Sequence, residues 1–229
     1  MTYFIGIDDT DTADSRGTGY LARQIVAALA AKHTVLGVIR HQLLVDPRVR
    51  CTRNNSSAAI LLDGNSVAET GSLLEQVKEL MMDDFQPGSD PGLCVADAVP
   101  EAVTAFGRRA QQALVTHEEA ESLAAAHGVR LVGLGGDCSG VIGALAAVGL
   151  AAGAEDGRYI LVGRLRELSG LQPVSAVLAA GIASIRTLAG QIVTDGLIQT
   201  DRLRPARRGG QPIAFVEWAE EFWQPLKLD

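Results

Sequence analysis

Cysteine is scarce: Cys51, Cys94 and Cys138 are the three present among 229 residues. An odd, dispersed set without a C-x-x-C pair argues against a disulfide framework and against a structural zinc site. Excess positive charge is lacking too, since 20 Lys and Arg stand against 27 Asp and Glu, a net charge of −7. Affinity for a nucleic-acid backbone comes mainly from cations that displace counterions, so this balance argues against broad electrostatic capture. A local basic patch stays open. No apolar run reaches the ~20 residues of a membrane span; the longest, residues 141–154, is interrupted by glycines. The first residues lack the charged and apolar regions of a secretory signal. The expectation is a soluble, cytoplasmic protein with no membrane partner. Aromatic residues are only 4% of the chain, so Ala, Val, Leu and Ile must fill a core that 47% hydrophobic content makes sizeable.

What is present alternates between strand and helix patterns. Residues 3–7 read as a buried strand, 20–31 as a helix, 35–39 as a second strand and 58–62 as a third, closed by Asp63-Gly64. A strong helix is predicted over 66–82, a short strand over 93–95 and one or two helices over 100–127. Thr116 and Glu119 have the spacing of a capping box. Further strands are predicted at 129–134, 159–162 and 213–217, and a helix at 175–188. The fold class is α/β, and the alternation over 58–134 suggests an α+β module of ferredoxin-like kind set into the chain.

The densest chemistry is Gly6-Ile7-Asp8-Asp9-Thr10-Asp11. Three carboxylates within four residues at the end of a buried strand repel one another, and a divalent cation relieves the cost. Magnesium takes one or two carboxylates plus substrate phosphates, and ligands sit at strand ends in open α/β sheets. As turn residues alone, the aspartates would cap the loop; the apolar strand before them tips the reading toward metal. Gly6 and Thr10 count with this loop as nucleotide contacts. Thr10, Thr12, Ser15 and Thr18 crowd the same stretch, either as turn and N-cap formers, which is commoner, or as hydroxyls near the metal, one of them a phosphoryl acceptor. Arg16 and Gly17 before Thr18 suit an anion site at a helix N-terminus.

A second loop, Gly135-Gly136-Asp137-Cys138-Ser139-Gly140, opens a helix of small residues that includes Gly143. Glycines let backbone N–H groups face an anion at the helix start, although many such turns only pack tightly. Neither a Walker sequence nor a dinucleotide fingerprint is present. Arg40, Arg48, Arg50 and Arg53 form one basic cluster, and Arg202, Arg204, Arg207 and Arg208 a second. Arg53 is the one weighed evenly between a site role and a solvated loop. His33, His41, His117 and His127 lie singly and carry no assigned role.

Gly-Ile-Asp-Asp-Thr-Asp, the Gly17-Thr18 step, Thr52-Arg53-Asn54-Asn55, Asp90-Pro91-Gly92 and the helix from Gly140 to Gly149 occur in an order that resembles archaeal tRNA agmatidine synthetase. The resemblance covers nearly the whole chain and the N-terminal half of that family. It implies a kinase-like, nucleotide-binding domain over 1–57 and 135–229, with an inserted ferredoxin-like domain over 58–134. It implies ATP and Mg2+ as cofactors, used to phosphorylate the wobble cytidine of an isoleucine tRNA before agmatine displaces the phosphate. Asp8, Asp9 and Asp11 match the family's magnesium motif, Thr18 a self-phosphorylated threonine, and Gly140 and Gly143 its phosphate loop. The sequence departs from the family where Cys51 replaces a lysine, where Asn54 and Ser56 replace glycines, and where Asp137-Cys138-Ser139 replaces a loop carrying an arginine. The OB-fold and zinc ribbon that help grip tRNA would follow Asp229.

The leading functional expectation is an ATP- and magnesium-dependent phosphotransferase whose acceptor is RNA, a nucleoside or a small molecule. The alternative is a nucleotide- or RNA-binding module without chemistry, or one part of a split RNA-modifying assembly. A haloacid-dehalogenase-type phosphatase ranks third, because Ala13 stands where its D-x-D motif wants Thr or Val. A tRNA partner and a homo-oligomer both remain open.

Overall fold

The computed structural model describes residues 1–67 and 69–228. It divides into two compact units, Met1–Gly153 and Ala154–Asp229. In the first unit the order is β1 (Thr2–Asp8), α1 (Thr18–Leu29), β2 (Val35–Gln42), β3 (Ser56–Asp63) and α2 (Thr70–Asp83). Then come β4 (Gly92–Ala96), α3 (Glu101–Ala110), α4 (His117–Ala126), β5 (Arg130–Gly133) and α5 (Gly140–Gly153). The strands form an antiparallel sheet in the order β5-β4-β1-β3-β2.

Strand β1 is central, with Ile5 opposite Ile60 on one side and Val95 on the other. Side chains alternate across a strand. Phe4, Cys94 and Ala96 join the core built by α3, α4 and α5, and Gly6 abuts α5. Ile5 and Ile7 therefore face the other side, where α1 packs on β2 and β3, and α2 on β4 and β5. Helix α5 buries eleven of its fourteen residues, as a helix enclosed on all sides must. It lies between the sheet and α3. A Cβ at Gly6 would overlap the Ala144 carbonyl, and one at Gly149 would overlap the Val103 carbonyl. The small residues of this helix are thus a packing requirement on two faces.

The domain boundaries expected at 57/58 and 134/135 do not separate units. Strand β3 lies between β1 and β2, and β4 and β5 extend the same sheet from β1, so residues 58–134 share a core with the chain on either side. The division falls at Gly153 and Ala154 instead. Periodicity identifies an element; it does not name the strand it pairs with.

The helix expected over 66–82 starts later, at Thr70, after a short 3₁₀ turn at Gly64–Ser66; Ala68, inside the expected range, lies outside the described residues. The capping box is present. Thr116 Oγ1 accepts from Glu119 N and the Glu119 carboxylate accepts from Thr116 N, both at 3.2 Å.

The second unit holds β6 (Arg158–Leu161), β7 (Leu171–Pro173), α6 (Val174–Ala179), β8 (Ser184–Arg186), β9 (Leu197–Gln199), β10 (Ala206–Arg208), β11 (Gln211–Ala219) and β12 (Phe222–Pro225). Its strands run β6-β10-β11-β12-β9-β7, with β8 parallel to β11. The helix expected over 175–188 is only α6. Gly181, at φ +110, is in the left-handed region and stops it, and Ile185 pairs with Ala214 on β11. Among the described residues no helix is long and apolar enough to cross a membrane.

Candidate functional site

The acidic loop leaves the end of β1 directly beneath the start of α5. Asp8 ends the strand with its carboxyl group against Gly143, where any Cβ would overlap it. Burial pushes the Asp8 carboxyl up to about 7; the Asp9 N–H opposes the rise, and the charges of Asp9 and Asp11 add to it. Asp9 has φ +49, in the left-handed region where a residue with a Cβ is strained. Its carboxyl is also held above the usual carboxylate range, first by burial and next by the charge of Asp90, against the opposing influence of Arg50 and Ser139. Ser139 Oγ donates to Asp9 Oδ2 at 3.4 Å.

Asp11 turns another way. Thr10 Oγ1 donates to Thr18 Oγ1 at 3.1 Å, and Thr18 Oγ1 donates to Asp11 Oδ1 at 3.1 Å. Both threonines are buried. Gly17 caps α1 without a side-chain hydrogen bond, next to the Asp11 carboxylate. The Arg16 guanidinium lies 4.4 Å from the centre of the Tyr20 ring. That cation–π contact engages it on α1 itself.

Asp90, just before β4, ties these parts together. Its N–H donates to Asp9 O at 3.2 Å, its carbonyl accepts from Gly140 N at 3.0 Å, and its Oδ1 accepts from Asp137 N at 2.8 Å. Arg50 Nη1 lies 3.2 Å from Asp90 Oδ2. Arg53, the arginine expected in the site, donates instead to Ala13 O at 3.4 Å on the outer part of the loop.

The glycine loop is not the open phosphate cradle that the sequence suggests. The N–H groups of 137–142 already have acceptors in the chain: Asp90 Oδ1, Gly135 O, Asp137 Oδ1, Asp90 O, Cys138 O and Ser139 O. Gly136, at φ +59, sits where a Cβ would strike the Asp90 carboxylate, Gly140 is pressed against Asp90 O and Gly92 N, and Gly135 faces the Phe85 ring. Gly6, Gly136, Gly140 and Gly143 thus serve close approach of the chain to its own backbone and carboxylates, and Gly135 close approach to the Phe85 ring. The reason is geometric: α5 comes down onto β1 and β4 so closely that no side chain fits between them.

The structure brings together Asp8, Asp9, Ser139, Asp90, Arg50 and the start of α5. It sets Asp11 with Thr10 and Thr18, and it leaves Arg16, Gly17 and Arg53 outside that group. Asp90 and Ser139 were not legible as site residues, because their proximity to Asp9 comes from pairing distant in sequence. Among the described residues no three His, Cys, Asp or Glu side chains converge as a ready cation site. In this structure Asp8, Asp9 and Asp11 do not converge as a triple ligand set. Magnesium that also grips a polyphosphate needs only one or two carboxylates. Asp8 and Asp9, adjacent and both held toward their neutral forms chiefly by burial, fit that smaller requirement.

A mixed α/β unit whose glycine-rich helix closes over carboxylates at the end of a central strand is the class of fold that these features define. Solved structures of TiaS, a tRNA agmatidine synthetase, share it. A complex of TiaS with tRNA and ATP matches with TM-score 0.57 and 25% identity, over 65% of this chain and 36% of that chain. Apo TiaS matches with TM-score 0.55 and 25% identity, over 65% and 35%. A structure described as a tRNA fluorescent labeling enzyme matches with TM-score 0.57 and 25% identity, over 65% and 36%. The likeness thus spans little more than a third of those proteins. No protein-family model matches this chain, and no curated protein does.

Proposed function

We propose that this chain binds ATP at the acidic loop and transfers the terminal phosphoryl group to an oxygen of an RNA, nucleoside or small-molecule acceptor. One observation carries the reading: two adjacent, desolvated carboxyl groups, Asp8 and Asp9, lie under a glycine helix in a fold shared with a complex of TiaS, tRNA and ATP. Asp8 and Asp9 would hold magnesium, which when bound neutralises charge on the phosphates. Ser139 orients Asp9 through its hydroxyl, and Asp90 fixes the loop that carries Ser139. Asp11 accepts the Thr18 hydroxyl hydrogen bond, so it is placed to take the proton of that hydroxyl should Thr18 receive the phosphoryl group. Asp8, Asp9 and Asp11 thus divide into a phosphate-side pair and a proton-accepting carboxylate. Transfer RNA is the acceptor class that the TiaS likeness favours.

A second reading, a nucleotide-binding module without chemistry, is favoured by the glycine loop, whose donors are already engaged. Incubation with ATP labelled at the γ-phosphate, magnesium and transfer RNA separates the two. Transfer of label to RNA or to Thr18, with release of ADP, is the expected result. Bound ATP that stays intact through long incubation supports the module and defeats the phosphotransferase.

A further inference from the structure

The second unit contains a cavity of about 130 Å³, bounded by β6 and the turn after it on one side and by residues 200–204 on the other. Leu165 and Leu203 give it apolar wall; Arg166 and Arg204 give it charge. Their guanidinium hydrogen bonds go to backbone carbonyls, Arg204 Nη1 to Leu203 O at 2.8 Å and Arg166 Nη1 to Ile160 O at 3.3 Å. Among the described residues neither arginine forms an ion pair. A guanidinium has five N–H donors, so most of each fork is free to serve a ligand. Asp201 is the carboxylate on the wall, and its Oδ1 is occupied by the Gly170 N–H at 2.9 Å.

Two cations sharing one recess without a carboxylate pair repel one another. The Arg204 charge is disfavoured first by burial and then by the nearby charges of Arg166 and Arg158. An anion removes that cost. The space is well below the ~300–1,000 Å³ of a pocket for a drug-sized ligand, so it fits a compact anionic group rather than a whole nucleotide. Guanidinium forks match the oxygens and the double charge of phosphate.

We propose that this cavity is a phosphate-binding site, formed by Arg166 and Arg204, separate from the acidic loop. Calorimetric titration of inorganic phosphate into the full chain tests it. Saturable one-site binding is expected in the wild type and in Asp8→Asn, weakened about tenfold or more in Arg166→Gln and in Arg204→Gln. Arg166 is exposed, so its replacement leaves the core intact even if Arg204→Gln fails to fold. A short RNA that displaces phosphate and depends on the same arginines identifies the phosphate as part of a polynucleotide. An RNA that leaves phosphate binding untouched identifies a small phosphorylated ligand; either result supports the site. No saturable phosphate binding in the wild type, or equal affinity in Arg166→Gln, overturns the proposal.

Discussion

Metal-free protein carrying Asp8→Asn is expected to melt roughly 8–16 °C above the wild type at pH 8, and to have lost magnesium-dependent ATP binding. The two effects have one cause. In the folded chain burial holds the Asp8 carboxyl at about 7, against an ordinary value of 3.8. Between those values the native state binds the proton that the unfolded chain releases. Asp8 therefore costs nothing below about pH 4, and stability falls as pH rises until the folded group is ionised, just above pH 7. The loss reaches on the order of 4 kcal/mol at pH 8. Asparagine fills the same space beside Gly143 without a charge, so melting curves of the variant lack this fall between pH 5 and pH 8. Magnesium with ATP raises the wild-type melting temperature at pH 8 by linkage and leaves Asp8→Asn unmoved. A wild type whose metal-free stability is flat over that range would show that Asp8 is not desolvated.

The second large effect is on folding. Gly6→Ala places a methyl group onto the Ala144 carbonyl, which belongs to the backbone of α5 and not to a yielding side chain. The helix cannot retreat, since Gly149 is set against the Val103 carbonyl of α3 on its other face. Overpacking at a fixed backbone contact costs about 3 kcal/mol or more, and urea denaturation followed by circular dichroism should show the midpoint falling accordingly. Gly71→Ala is the contrast. Gly71 lies in the first turn of α2, and its nearest neighbours, Arg130 Nη2 and Glu69 Oε1, are side-chain atoms at 3.4 Å. There alanine gains up to ~1 kcal/mol of helix propensity. Equal destabilisation by both substitutions would show that α5 does not rest on β1 as described.

Local pattern carried far in this chain. The buried strand running into Asp8, the helix beginning at Gly140 and the Thr116–Glu119 box are all set by residues within a few positions of one another, and each is where the sequence places it. What local pattern could not supply was pairing. The placement of β3 between β1 and β2 is decided by registers such as Ile5 with Ile60, more than fifty residues apart. The same holds for Asp90: an Asp-Pro-Gly turn is ordinary in sequence, and only the pairing of β4 with β1 sets it beside Asp9. The glycines at 135–143 were legible as functional punctuation, yet their neighbours are the chain's own Asp8 and Asp90 rather than an open anion site. In the second unit, several strands are three residues long, too short for a period to register.

Calorimetric titration of ATP into the wild type, Asp8→Asn and Asp9→Asn, each with and without magnesium, tests the acidic loop most directly. Saturable binding to the wild type that requires magnesium, and its absence from both variants, is the expected result. Binding of equal strength without magnesium, or undiminished in the two variants, would contradict a nucleotide site built on these carboxylates.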